Sequence, residues 1–283
     1  MEDSNDLFSP LPPAAKINKT LSHYTSLDGF LNIIRESQIR ASNILFLNDT
    51  EEMEYGMRVA RDVLAEIDQV RPDTPLKRIA RALTGMNDIP DVYACCFCEE
   101  HDMLSQWRGY GAATQSVSIQ FDADQLSAVA RAQEFDLHPV TYGKRLAMKV
   151  LRARLKGAES TASIVRALMN SKDETDYTAD DARRMAVLDL APRFKNDAFG
   201  EELEWRIIAK AHVVKKVEYR TRDNVIMPYV NVGALNTRLP ITRVTVGPGK
   251  DASLTRKSIE KFLSQRPFYS DVEVAVSSIP FRT

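Results

Sequence analysis

Leu21-Ser22-His23-Tyr24-Thr25-Ser26-Leu27-Asp28-Gly29-Phe30-Leu31-Asn32-Ile33-Ile34 changes period midway, and that change sets the fold class. Residues 21–25 read as a short strand. Thr25 and Asp28 then fit the S/T-x-x-D/E capping pattern, and Leu27, Phe30, Leu31 and Ile34 recur at i, i+3, i+4, i+7. A strand thus runs straight into an amphipathic helix. Further along, Asp91 to Cys98 reads as a buried strand, Gln115 to Phe121 alternates, a short helix spans 124–133, and His138–Tyr142 is a third strand. Residues 144–191 carry a Leu/Val/Ala/Met face with charges outside it. Beyond Leu203 the chain turns strand-rich (203–209, 211–219, 225–232, 241–246), Gly247-Pro248-Gly249 breaks the run, and a helix (251–264) and strand (272–277) close it. Strands at both ends with helices between them predict an α+β fold around a mixed, largely antiparallel sheet flanked by helices. The expected organisation is one domain over 20–283 with a helical insertion around 144–191, preceded by a flexible, proline-bearing arm over 1–19.

Composition narrows the function classes. The 283 residues are 44% hydrophobic and 27% charged, enough to build a core without staples. Thirty-eight Lys+Arg against 39 Asp+Glu leave a net charge of −1, so charge does not indicate a nucleic-acid partner or an anionic membrane. No run approaches 18 apolar residues, which predicts no membrane partner. All three cysteines sit in Cys95-Cys96-Phe97-Cys98, a spacing that builds no disulfide framework and points to a reducing, cytoplasmic setting. On a strand, Cys96 and Cys98 share a face about 6.6 Å apart and Cys95 opposes them. Without a second Cys pair this is a set of core thiols, and no metal is expected.

Four segments are dense in recognition chemistry. His23-Tyr24-Thr25 sits at a strand-to-helix junction. Asn48, Asp49 and Glu52 form a capping box, with Asp49 as N-cap, or a ligand contact. Gln106, Trp107, Arg108 and Tyr110 offer an amide, an indole, a guanidinium and a phenol beside glycines, a set that can sandwich a planar ring or pack on the core. In Glu204-Trp205-Arg206-Ile207, strand alternation puts Glu204 and Arg206 on one face and Trp205 and Ile207 on the other. That pair is a surface ion pair or the wall of a cleft.

Taken in order, these pieces resemble one pattern. His-Tyr-Thr with its Leu/Ile helix is followed by Leu-Asn-Asp-x-x-Glu, Ser-Gln-Trp-x-x-Tyr-Gly, a strand ending Phe121-Asp122, Glu-Trp-Arg, Val-Gly-Pro and a Ser-x-Ile-Pro-Phe-Arg tail. The succession resembles the bacterial family called domain of unknown function 2971, from about Leu21 to Arg282. That family is in turn similar, remotely, to the ADP-ribosyltransferases with a His-Tyr-Glu pattern. The resemblance implies an NAD-dependent ADP-ribosyltransferase of defence or toxin type, NAD being its substrate. In that reading His23 holds the ribose, Tyr24 and Thr25 present backbone, and Trp107 or Tyr110 stacks nicotinamide. Glu204 is the catalytic carboxylate that steadies the oxocarbenium, and Asn48, Asp49, Glu52, Gln106, Arg108 and Arg206 complete the ligand contacts. A nucleic-acid or protein acceptor is compatible with it. The competing class is a non-enzymatic module that binds a small nucleotide or a partner through the same cluster. All these residues are expected around one cleft.

Overall fold

A computed structural model describes residues 20–46, 51–70, 91–111, 115–169, 179–210, 213–222 and 224–280. The chain divides into two compact units, each built from separated stretches of sequence. The first takes Ile44–Asp91 and Val140–Gly200, and the second Lys16–Asn43, Val92–Pro139 and Glu201–Thr283. The architecture is α+β with a largely antiparallel open sheet. Among the described residues no helix is long and apolar enough to cross a membrane.

The first unit is mainly helical. Helix α2 (Glu51–Val70), α5 (Lys144–Met169) and α6 (Ala179–Leu190) pack on one another, and a two-stranded parallel ribbon joins β6 (Thr141–Tyr142) to β7 (Phe194–Lys195). Met53, Met57, Ala60, Val63 and Leu64 of α2 bury the i, i+3/i+4 stripe that amphipathic spacing demands, and Ala147, Leu151, Leu155 and Val187 answer it. The sequence expectation of a helical 144–191 is thus two helices plus a 3₁₀ turn at Ala191–Arg193. Gly56 lets α2 approach that turn. A Cβ built on it would stand 2.2 Å from the Ala191 carbonyl oxygen.

Among its described residues the second unit carries ten strands in one sheet. These are β1 (Thr20–Ser26), β2 (Ile39–Asn43), β3 (Val92–Cys98), β4 (Ser116–Asp122), β5 (Asp136–Pro139), β8 (Glu204–Lys210), β9 (Glu218–Arg222), β10 (Val225–Val232), β11 (Ile241–Val246) and β12 (Glu273–Val276). The order is β12-β11-β4-β1-β3-β2-β10-β9, with β8 on β3 and β5 on β8, and only β11–β12 runs parallel. Helices α1 (Leu27–Glu36), α4 (Ala123–Arg131) and α7 (Ala252–Ser264) cover the core-forming face, whose residues include Leu21, Ile119, Phe97, Trp205, Ile207, Val230 and Val244. A short helix, α3 (Leu104–Gly111), packs on β1 and β4.

Several sequence expectations shift. The cap of α1 is Ser26, whose Oγ accepts from Gly29 N–H at 3.1 Å, because Thr25 is still paired with Val117 in the sheet. The strand expected over 138–142 divides at Val140 into β5 and β6, which join different sheets. Residues 213–217 lie outside the strand expected over 211–219, and β9 begins only at Glu218. Strand β2 was not anticipated. Its alternation Ile39, Ala41 inward and Arg40, Ser42 on the other face is short and interrupted by polar residues.

The close approach at Gly56 yields a stability prediction. Gly56→Ala adds a methyl against backbone that cannot swing aside, so it should destabilise the protein by about 1–3 kcal/mol despite the helix propensity of alanine. Chemical denaturation of the two proteins checks this, and an equal or higher midpoint in Gly56→Ala would show that the helix and turn separate freely.

Candidate functional site

The site begins with the pairing of β3. Strand β8 pairs with all of it, from Val92↔Lys210 to Cys98↔Glu204. On the remaining edge, β1 meets it at Ser22↔Cys98, and β2 meets it at Ser42↔Ala94 and Asn43↔Tyr93. Neither β1 nor β2 has a register partner for Cys95, Cys96 or Phe97. Two strands therefore share one edge and leave a notch between them.

His23 stands at this notch. Its Nδ1 lies 2.9 Å from the Cys96 carbonyl oxygen, 3.8 Å from Cys95 Sγ, and its ring is tilted over Phe97 at 5.6 Å. Glu99 N–H donates across to Leu203 on the β8 side at 3.3 Å, so alternation turns the backbone groups of Cys96 toward the shared edge. Burial holds His23 below the ordinary histidine value. The Cys96 carbonyl opposes that shift, and the charge of Arg220 adds to it. The neutral ring then donates through Nδ1, which leaves Nε2 as an acceptor. Two of the thiols are held protonated: burial raises Cys95 strongly and pushes Cys98 up to about 12.

Glu204 does not join His23. Facing residues of paired strands project to the same side, so Ser22, Cys98 and Glu204 share one face. His23, next to Ser22, projects to the other, with Leu21 and Phe97. The expected shared cleft of His23 and Glu204 is therefore corrected by strand register. The side-by-side placement of Glu204 and Arg206 is as the alternation indicated, yet they are no surface pair. They are 6% and 1% exposed, and Arg206 Nε and Nη2 reach Glu204 Oε1 and Oε2 at 2.6 and 3.0 Å. Such a two-point pair fixes both side chains.

Trp107 is also taken. It is 1% exposed, its ring meets Tyr24 edge-on at 4.7 Å, and its Nε1–H donates to Asp102 Oδ1 at 2.7 Å. Asp102 in turn accepts from Ser277 Oγ, Ser278 Oγ and the Ser278 N–H. Tyr24 is buried with its hydroxyl between the Glu100 carbonyl and the Met103 N–H. A Cβ on Gly247 would stand 2.8 Å from the indole. So Tyr24, Trp107, the Val-Gly-Pro turn and the Ser-x-Ile-Pro segment, with Ile279, are one packing node, and Trp107 is not free to stack a ligand. Gln106 and Arg108 lie on α3, partly and largely exposed, and Thr25 Oγ1 crowds Gly29 at the start of α1. Asn48 and Asp49 are outside the described residues, as are the side chains of Glu52 in α2 and Tyr110 in α3.

Asp102, Arg40, Ser42, Arg220 and Tyr229 escaped the sequence reading. Arg220 Nη2 donates to Ser42 Oγ at 2.9 Å, and the guanidiniums of Arg40 and Arg220 lie 5.0 and 5.8 Å from the Tyr229 ring centroid. The only available signal was the alternation of Arg40 and Ser42 within an unrecognised strand.

Over residues 106–207 the chain matches the family described as "Protein of unknown function (DUF2971)", and the resemblance to that family is shown. No curated protein and no solved structure matches the chain.

Two predictions follow the geometry of these buried charges. Glu204→Gln leaves Arg206 buried without its counter-charge, a change that typically costs about 3–5 kcal/mol, so its thermal midpoint should fall sharply. A midpoint within error of wild type would mean that the pair is dispensable. Asp102 behaves differently with pH. Burial works to raise its pKa, but the hydrogen bonds from Ser277, Trp107 and Ser278 together outweigh it and leave the carboxyl below its ordinary value. Its contribution is then present above the unfolded value of about 3.9 and is lost as pH falls through the lower native one. The stability gap between wild type and Asp102→Asn should be widest near neutrality and close in acid. A gap independent of pH would assign Asp102 a purely steric role.

Proposed function

We propose that the protein binds a small nucleotide-type ligand at the notch between β1 and β2, with His23 as a polar contact. The observation that carries this reading is the fixed, neutral imidazole. Its Nδ1 is committed to the Cys96 carbonyl at 2.9 Å, so Nε2 is oriented by the backbone and ready to accept from a ribose hydroxyl. A strand edge divided between two neighbours also exposes a ligand to backbone and side chain together.

NAD-dependent ADP-ribosyl transfer is the second reading, favoured by the placement of His23 on the first strand of the sheet, as the resemblance implies. It needs a carboxylate at the sugar to steady the oxocarbenium. Glu204 spends both oxygens on Arg206 and faces away from His23, so binding without catalysis fits the geometry better.

Calorimetric titration of ADP-ribose and NAD into wild type and His23→Ala tests both readings. Wild type should bind ADP-ribose, and His23→Ala should weaken it by about tenfold, the worth of roughly one well-made hydrogen bond. No binding of either ligand to wild type would remove the nucleotide reading. Nicotinamide release above background from wild type and NAD would place the transferase reading first.

A further inference from the structure

Strands β2, β10 and β9 present a face opposite the core in which Arg40, Ser42, Tyr229, Arg220 and Arg222 project together. Tyr229 is paired with Ser42 on one side and Glu218 on the other, while Arg40 and Arg220 lie two positions from those partners. The two guanidiniums thus flank one aromatic ring. Arg40 has a carboxylate, Glu36, at 3.2 Å. Arg220 has none among the described residues: its Nη2 is spent on Ser42 Oγ and Met227 Sδ. Glu218, two positions before it on the same strand, is bonded instead to Lys216 at 2.5 Å.

Hydrogen-bond accounting sharpens the imbalance. Arg40 Nε and Arg220 Nε are buried donors without acceptors. Asn231 Oδ1, also orphaned, belongs to the residue directly opposite Arg40 in register. The register partner of Arg220 is Met227, which carries no oxygen acceptor on its side chain. The Ser42 hydroxyl accepts from Arg220, which leaves its own hydrogen to donate. Buried polar groups in folded proteins are rarely left unpaired, and a partly buried cation without a counter-charge is costly. Burial and the neighbouring charges of Arg40 and Arg222 all act to lower the pKa of Arg220, so this cation lies in a locally positive field. A guanidinium with spare N–H groups, a hydroxyl donor and a second guanidinium across a ring match the tetrahedral oxygens of a phosphoryl group.

We propose that the Arg40–Tyr229–Arg220 face is a binding site for a phosphoryl anion, the diphosphate of a nucleotide being the ligand class it serves. The anion site stands without the nucleotide reading above, and only the assignment of its phosphates to a nucleotide rests on that reading. The charge of Arg220 is felt at His23 and Cys95, although their side chains project to the opposite face of the sheet.

The test uses the full chain, sodium pyrophosphate as probe, and isothermal titration calorimetry at low ionic strength. Wild type should bind pyrophosphate saturably, with affinity falling as salt is added, and Arg220→Gln should weaken binding at least tenfold. The control Arg243→Gln, which removes a β11 surface pair with Glu273, should leave binding unchanged. Thermal melts confirm that each variant is folded, and Arg40→Gln replaces Arg220→Gln should the latter unfold. Absence of pyrophosphate binding to wild type, or equal affinity in the folded Arg variant, overturns the proposal. Inorganic phosphate and ADP-ribose distinguish the sources. ADP-ribose binding tighter than pyrophosphate, lost in both His23→Ala and Arg220→Gln, supports a nucleotide diphosphate. Pyrophosphate binding lost in Arg220→Gln with no ADP-ribose binding keeps the anion site and removes the nucleotide. ADP-ribose binding lost in His23→Ala but untouched by Arg220→Gln keeps the nucleotide reading and removes the anion site.

Discussion

One edge of β3 serves two strands, and the placement of every polar group around it depends on that sharing. With β8 occupying the opposite edge over all seven residues of β3, β1 and β2 have to meet the same side at different ends. The wings β12-β11-β4-β1 and β2-β10-β9 diverge from there. A continuous ladder would have satisfied the backbone at Cys96 with a neighbouring strand. Here an imidazole meets its carbonyl, and the group that fills a gap in the sheet is one with a second nitrogen to offer. The constraint on His23 is thus backbone hydrogen bonding first and chemistry second.

Register decides the rest. The Ser22–Cys98–Glu204 row puts the Glu204–Arg206 pair on the face that also carries Tyr24 and Ser42, away from the helix-covered core. This is why a carboxylate and a guanidinium of one strand can be buried without disturbing the apolar layer formed by Trp205 and Ile207. Trp107 illustrates a related point. Its family-like neighbours Tyr24, Gly247 and Ser277 are far apart in sequence, yet each touches the indole or its Asp102 partner. The pattern that marks the family resemblance is, at those positions, a packing solution. Asp102 ties it to the end of the chain with four accepted hydrogen bonds from Ser277, Ser278 and Trp107.

Much of the fold was legible because period is local. The strand at 92–98, the one at 225–232 and the helix at 252–264 follow from alternation or 3.6-residue spacing in their own residues. Strand β2 was not, since five residues with three polar ones carry too little pattern, and its strand state is set by pairing with β3 and β10. The Ser26 cap was missed by one position because sheet pairing with β4 holds Thr25 extended. The facing of Glu204 relative to Arg206 was legible, being two residues along one strand. Its facing relative to His23 was not, since that needs the register of two ladders no local pattern encodes. The Arg40–Arg220 face was hidden twice, by an unrecognised β2 and by a strand placed too early around β9.

Two Glu-x-Arg units make the remaining point about function. Glu204-Trp205-Arg206 and Glu218-Tyr219-Arg220 have the same spacing, and strand alternation puts carboxylate and guanidinium on one face in both. In the first, two nitrogens of Arg206 close on Glu204, and the charges cancel in a buried setting. In the second, Glu218 turns to Lys216, an exposed residue that precedes the strand, and Arg220 turns to Ser42 and the Tyr229 ring. An exposed lysine gains little from such a pair, so Glu218 is not held to Lys216 by strength of attraction. What separates the two units is the surroundings of the guanidinium. Arg206 is buried in a strand paired on both sides, whereas Arg220 lies beside Arg40 and Arg222, whose charges act on it. A closed pair can only contribute to stability. An open one holds a cation that has no carboxylate beside it among the described residues, and chemistry on this protein is best sought there.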